Sequence, residues 1–597
     1  MNDTFSNEDQ LPRVPLPTLR DSCALFLEWC APLLTAAELA ETEAAVAEFL
    51  APDSPAHILH DDLARYDASP GVRSWLDDFW RTRYLGRRDR IALNANFFFL
   101  FKDSVGSGQA DRAAGLIASA VAYKAMVDSE QLPPVVLRGQ AQSMEQHKYL
   151  FSCTRVPGAE QDTARAPYGD EWPGPSPARH IVVFHRGRMF RMDVLDEQGL
   201  PYAISELADG LGAVLASEES QSTSVGHLTT KARAEWAASR QALIALDPAN
   251  SEALDVVETA LFCVSLEDFA PADKLSACDA LLHGDSANRW FDKAVSFVVF
   301  ADGRAGINVE HCLLDGTTIL AFVDAVLTTQ GTSSEPGKGT PKVESIRFVL
   351  DDALHADVTA AGKAFADYAA ANATTDLSFE DMGTSRIKQL GMSPDSFVQA
   401  AYQLAHLRSK GLTGATYESI ATRQYQNGRT EAMRVVTPEM VRFVTAMRDP
   451  DTDTATRRAA LREAGAKHVA RAKQCQAGQA PEQHLWELQM IQRRRGAELG
   501  ATAPLRLYES PGWVVMRDDY LSTSSAPSSN IQYFGFGSTS SRCIGVAYVL
   551  LPDRLNIYLS TPQPVADQMY AFADALRGSL QELTDLLATE VSAAQST

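Results

Sequence analysis

Two α/β domains, each a mixed sheet with helices, are the fold this sequence predicts, and three observations carry that expectation. The chain has 597 residues, beyond the size at which one hydrophobic core keeps growing. β-rich runs occur in both halves, around "HIVVFHRGRMFRMDV", "AVSFVVFADGRAGINVEHC", "GWVVMRDDYLSTSS" and "GVAYVLLPDRLNIYLST", with helical runs between them. A polar stretch, "TTQGTSSEPGKGTPK" from Thr328 to Lys342, marks a boundary near residue 350. The predicted domains are therefore residues 1–350 and 351–597.

Residues 15 to 150 read mainly as helices, because in "DSCALFLEWCAPLL" and "DRAAGLIASAVAYKAMV" apolar residues recur three or four apart. The run "HIVVFHRGRMFRMDV" then reads as a hairpin about an Arg-Gly turn, and "AVSFVVFADGRAGINVEHC" as a second one about Asp302-Gly303. Just past that hairpin comes "NVEHCLLDGTTI", where Ile319, Phe322, Val323 and Val326 share one face of a helix. Beyond residue 350 helices dominate until strands return at "GWVVMRDDYLSTSS" and at a pair folded on Pro552-Asp553. A last helix turns Met569, Phe572, Leu576, Leu580 and Leu583 inward.

Hydrophobic content of 45% with 22% charged residues is that of an ordinary soluble fold and excludes collagen, disorder and a membrane bundle. Subtracting 76 acidic from 54 basic residues leaves −22, which disfavours nucleic acid and anionic bilayers as partners. The 8 cysteines show no C-x-x-C spacing, so neither a metal site nor a disulfide framework is expected. The opening "MNDTFSNEDQLPRVPLP" has neither secretory nor mitochondrial character, no run is long enough to span a membrane, and "AAQST" is no peroxisomal address. Those features predict a cytoplasmic protein.

His311 and Asp315 sit at the strand-to-helix junction of "NVEHCLLDG". Histidine is the side chain suited to general-base work near neutral pH, and a carboxylate four residues on can orient it. The spacing alone is equally met by a histidine satisfied by backbone partners in a sheet.

The wider chain settles which reading to follow. From about residue 11 to residue 590 it resembles the choline/carnitine O-acyltransferase family, through "LPTLRDSCALFLEWCAPLL", "NRWFDKAVSFVVFADGRAG", "NVEHCLLDG", "SPDSFVQAAYQLAHLRSKG", "TYESIATRQYQNGRTEAMR" and "DDYLSTSSAPSSN" in that order. The resemblance implies a two-domain α/β fold of the chloramphenicol-acetyltransferase type, with an active-site tunnel at the domain interface. His311 matches the family's catalytic base. Asp315 matches an acid that either holds the histidine or makes a structural ion pair. Ser524 matches the hydroxyl facing the oxyanion. The donor implied is a thioester of coenzyme A or of phosphopantetheine, a co-substrate rather than a bound cofactor. No metal is implied, and family members are often monomers.

Two departures redirect the specificity. The family's CoA site has two lysines ahead of S-P-D, but "MGTSRIKQLGMSPD" has Thr384 for the first and keeps Lys388 and Asp395, with Arg386 on another side of the helix. A donor on an acyl carrier protein, which has no 3′-phosphate, is thus an alternative to a weakened CoA site. At the acceptor site Tyr417 and Thr430 match the carnitine pattern, with Ser522 beside them, but in "PEQHLWEL" Gln483 replaces the carboxylate-binding arginine and Glu482 the preceding aspartate. An anion buried without its cation loses several kcal/mol, so the expected acceptor is a small alcohol or amine other than carnitine. The triplet Arg493-Arg494-Arg495 reads as a solvated helix face. Gln532 or Phe534 takes the place that limits acyl length, which favours short or medium chains. A non-catalytic thioester-binding or partner-binding member is the remaining alternative.

Overall fold

The computed structural model describes residues 3–104, 106–218, 223–329 and 336–595. Its two compact units are interleaved along the chain. The first comprises residues 1–10, 81–376 and 526–537, the second residues 11–80, 377–525 and 538–597. The division into residues 1–350 and 351–597 is corrected accordingly, and long-range pairing is the reason. Strand Ile531–Phe536 bonds to strand Phe97–Phe101 and so joins the first unit. The N-terminal helices pack on late ones in the second, where Ser22 meets His484 and the Gly512 amide donates to Thr42 Oγ1.

The first unit is built on an eight-stranded sheet in the order Val343–Ile346, Arg188–Asp193, His180–His185, Cys263–Leu266, Val295–Val299, Ala305–Val309, Phe97–Phe101, Ile531–Phe536. The two pairings made by Cys263–Leu266 are parallel and the others antiparallel, which makes the sheet mixed. Both expected hairpins form. Arg186 and Gly187 take positive φ of 51° and 73°, and Gly303 takes 84°, the left-handed conformations that tight hairpin turns require. Phe97–Phe101 is a strand inside the stretch read as helical: all five residues of "FFFLF" are buried, so the alternation that marks a half-exposed strand is absent. Of the polar stretch Thr328–Lys342, residues 330–335 lie outside the described residues.

In the second unit a six-stranded sheet runs Asn372–Phe379, Leu555–Pro562, Ile544–Leu550, Leu521–Ser525, Thr416–Ala421, Thr430–Arg434. Parallel pairs flank Leu521–Ser525, and antiparallel pairs lie outside them. Helix Pro394–Lys410 buries every residue from Ser396 to Leu407 and ends on Gly411 at φ 72°. The expected inward face of the last helix is observed, with Met569, Phe572, Leu576, Leu580 and Leu583 buried. One element differs: "GWVV" lies in helix Pro511–Arg517, since Ser510 accepts from the Trp513 amide as N-cap and Pro511 opens the first turn.

Helix Pro394–Lys410 also carries a buried titrating group. His406 Nδ1 donates to the Leu412 carbonyl at 3.0 Å, Nε2 has no hydrogen-bond partner, and burial holds the imidazole down at about 4. A histidine charged in the unfolded chain but neutral in the fold gives stability that is complete above pH 6.5 and lost as pH falls toward 4. Compared with His406→Asn, the native chain is expected to lose roughly 1.4 kcal/mol per pH unit across that window. Urea midpoints of both proteins between pH 7 and pH 4.5 measure it, and parallel curves refute it.

Candidate active site

His311 stands two residues past strand Ala305–Val309, in a turn that leads into helix Gly316–Thr328. Its Nδ1 lies 2.5 Å from the Leu314 carbonyl. A carbonyl only accepts, so Nδ1 carries a proton, and in the neutral imidazole the lone pair is on Nε2. Tyr84 faces that nitrogen with its hydroxyl 3.4 Å away and its ring centroid 5.0 Å from the imidazole. Phe97 meets the imidazole edge-on at 5.2 Å. The histidine keeps 26% of its side chain exposed, so the imidazole is braced without being sealed.

Asp315 is buried, with Oδ1 3.6 Å from His311 Nδ1, too long for a direct hydrogen bond. Its other oxygen accepts from Gln146 Nε2 at 2.7 Å. Gln146 Oε1 in turn accepts from the Asp315 amide and from Thr318 Oγ1, both at 2.8 Å. The aspartate thus meets the imidazole across 3.6 Å and is fixed in the turn by Gln146. Glu310, just before the histidine, accepts from the Cys312 amide just after it at 3.1 Å. Arg155 Nη1 approaches Glu310 at 3.3 Å, while Arg155 Nη2 donates to the Tyr84 carbonyl at 2.7 Å.

Of the two acyl-pocket candidates, the register places Phe534 opposite Phe99, on the face that carries Phe97. Its ring lies 6.1 Å from Phe97 and 5.5 Å from Phe99, so it belongs to the aromatic wall that reaches His311. Gln532 lies at a register shift and donates to the Phe101 carbonyl at 2.9 Å and to Asp103 at 3.0 Å. The structure therefore separates these two residues.

In the second unit the strand registers gather the hydroxyls. Tyr417 pairs with Ser522 and with Arg434, and Ala421 pairs with Thr430. By the two-residue alternation of strands, Tyr417, Thr430, Ser522 and Ser524 share one face of the sheet. Gln483, in the first turn of helix Glu482–Leu499, donates from Nε2 to the Thr430 carbonyl at 2.8 Å. It is 1% exposed, and its Oε1 has no hydrogen-bond partner. Swapping the amide atoms would set oxygen against oxygen at Thr430, so the orientation is fixed. Buried Arg434 stands nearby but is bound to Glu482 at 2.7 Å and to Asp519. Arg494 and Arg495 pair with Glu487 at 2.5 Å and Asp62 at 2.6 Å.

Of the residues expected to hold the donor, helix Thr384–Gln389 places half-buried Thr384 and exposed Lys388 one turn apart. Asp395 opens the next helix and accepts from Tyr548 Oη at 2.6 Å and from His468 Nε2 at 2.9 Å. Burial alone would raise the Asp395 carboxyl, but those hydrogen bonds and the histidine hold it below its usual range. Glu418, buried beside it, goes the other way: burial and the Asp395 charge push its carboxyl well above the usual range. Asp395, Glu418 and His468 have ligand-type atoms within 4.8 Å of one another.

A model of the choline/carnitine O-acyltransferases matches residues 14–578. The chain belongs to that family. Rat mitochondrial carnitine O-palmitoyltransferase 2 is 30% identical over 94% of this chain and 89% of its own length, and mouse peroxisomal carnitine O-octanoyltransferase is 33% identical over 83% of each. A solved condensation domain that releases chains from the enacyloxin polyketide synthase matches with a TM-score of 0.36 and 12% identity, over 86% of this chain and 83% of its own. This member of the choline/carnitine O-acyltransferases is an α/β acyltransferase, and among its described residues no helix is long and apolar enough to cross a membrane.

Sequence reasoning missed Tyr84, Gln146 and Arg155. Tyr84 lies in the unremarkable run "RTRYLGRRDR", and its partner His311 is 227 residues away. Gln146 is 169 residues from Asp315. Of the three, Arg155 alone left a trace, as a charge standing within the apolar "LFSCTRV".

Proposed function

We propose that this chain moves an acyl group from a CoA-type thioester to the hydroxyl of a small molecule other than carnitine, with His311 as general base in a ternary complex. The observation that carries the reading is the tautomer: with Nδ1–H given to the Leu314 carbonyl, Nε2 is the basic nitrogen, and it already faces a hydroxyl, that of Tyr84. The acceptor's O–H gives its proton to Nε2 while its oxygen bonds to the thioester carbonyl carbon. The tetrahedral oxyanion takes a hydrogen bond from Ser524. Collapse breaks the C–S bond, and the sulfur leaves with the proton held on the imidazole. Lys388, Thr384 and Asp395 serve the pantetheine end, and the thioester enters as co-substrate to a cytoplasmic monomer that binds no cofactor.

Gln483 supports the choice of acceptor. Its buried, unpaired Oε1 calls for a donor, and a carboxylate there would meet an acceptor, while Arg434 is already paired with Glu482 and Asp519. Thr384 favours a second reading of the donor, an acyl carrier protein, whose arm presents no 3′-phosphate. Thiol release from acyl-CoA and from an acyl carrier protein thioester, each with carnitine, choline and a pool of alcohols, tests both. We expect release with an alcohol rather than carnitine, and Gln483→Arg is expected to raise carnitine-dependent release by at least about tenfold. Native turnover of carnitine as fast as of any alcohol would overturn the acceptor reading. No thiol release from any pair would leave the non-catalytic reading standing.

A further inference from the structure

Arg155 is 1% exposed, and its three guanidinium nitrogens serve three different places. Nε donates to Asp162 Oδ2 at 2.6 Å, Nη1 approaches Glu310 Oε1 at 3.3 Å, and Nη2 donates to the Tyr84 carbonyl at 2.7 Å. Asp162 is itself gripped by Arg233 at 2.6 Å and Arg88 at 2.8 Å, so Arg155 hangs from a fixed frame. The other two contacts end on two residues that adjoin His311. Glu310 precedes the histidine and binds the Cys312 amide that follows it, while Tyr84 presents its hydroxyl to Nε2.

We propose that Arg155 is a positioning residue for His311: one planar fork fixes the turn that carries the imidazole and the main chain of the tyrosine that faces it. This rests on the reading of His311 as the base. Fork geometry is the reason a lysine would not serve, since a single ammonium cannot span three acceptors held at set angles. There is an electrostatic consequence as well. Among the described residues, the charged and titratable groups around the imidazole include Asp315 at 3.6 Å, the Tyr84 hydroxyl at 3.4 Å, Arg83 against the Tyr84 ring, buried Cys312, and Glu310 with Arg155. Arg155 cancels Glu310. Without it, the uncompensated carboxylate favours the imidazolium and makes His311 a poorer base at neutral pH.

The test reads the imidazole itself, in the full-length chain. His311 modification by diethyl pyrocarbonate, followed by peptide mass spectrometry from pH 5 to pH 8.5, gives a midpoint without turnover. Arg155→Met is expected to raise that midpoint by about one pH unit, Glu310→Gln to lower it, and the double variant to return it near the native value. In thiol release from acetyl-CoA, Arg155→Lys is expected to cut kcat at least about tenfold with KM for the thioester unchanged. Unmoved midpoints in folded variants, or native kcat in Arg155→Lys, overturn the proposal. If Arg155→Met does not fold, Glu310→Gln decides, because it leaves the Asp162 frame intact. His311→Ala retaining turnover would sink the base instead, and the two failures are told apart because the midpoint does not depend on catalysis.

Discussion

Replacing His311 by alanine is expected to lower kcat for thiol release by about 10²- to 10⁴-fold, the range of a lost general base. The donor's KM is expected to stay within about twofold of native, because in the proposed mechanism the imidazole takes the acceptor proton and does not hold the pantetheine arm. The fold is expected to survive the change. His311 lies in a turn held independently by Glu310 on the Cys312 amide and by Gln146 on Asp315, and 26% of its side chain faces outward. Coincident melting curves with collapsed kcat would therefore assign the loss to chemistry. Native kcat in the variant would mean that another group takes the hydroxyl proton.

The largest effect on stability is expected at Asp162, a residue remote from the reacting atoms. Its side chain is fully buried and receives Arg155, Arg233 and Arg88 together with the Gly158 amide. Burial would raise this carboxyl, but Arg233 and Arg155 hold it below its usual range. Asp162→Ala leaves guanidinium groups buried against one another, a change that typically costs about 3–5 kcal/mol. Because the folded carboxyl is depressed, its contribution is complete above its ordinary titration range and fades as pH falls through the lower folded value. Urea unfolding at pH 7 measures the first effect, and repeating it in acid should narrow the gap between native and variant. A loss under about 1 kcal/mol at pH 7, the size of a surface pair, would contradict the burial of this charge cluster.

Much of this was readable in the chain because it is local. The turns at Arg186-Gly187 and Asp302-Gly303, the helix after Gly316 and the inward face of the last helix each follow from residues a few positions apart, where periodicity and left-handed turns act. The motif carrying His311 and Asp315 belongs to that class. What escaped was decided at a distance or by burial without alternation. "FFFLF" gives no period because both its faces are covered. "GWVV" looks like a strand until Ser510 and Pro511 are weighed as a helix start. The geometry at His311 Nε2 depends on Tyr84, and that of Asp315 on Gln146, which no local pattern connects. Within unit two, the shared face of Tyr417, Thr430, Ser522 and Ser524 needed strand registers that composition does not specify.

Strand Phe97–Phe101 is completed on one side by Ala305–Val309 and on the other by Ile531–Phe536. A ribosome delivers these pieces in that order, so a row of four phenylalanines waits through most of synthesis with one bare edge. At about 5–20 residues per second, the wait from the second strand to the third lasts some ten seconds or more. An unpaired, apolar edge of this kind is a template for the wrong neighbour. The nascent chain is thus expected to need protection from mispairing until that strand emerges, and truncations ending before residue 531 should aggregate even though they retain His311 and every residue that braces it.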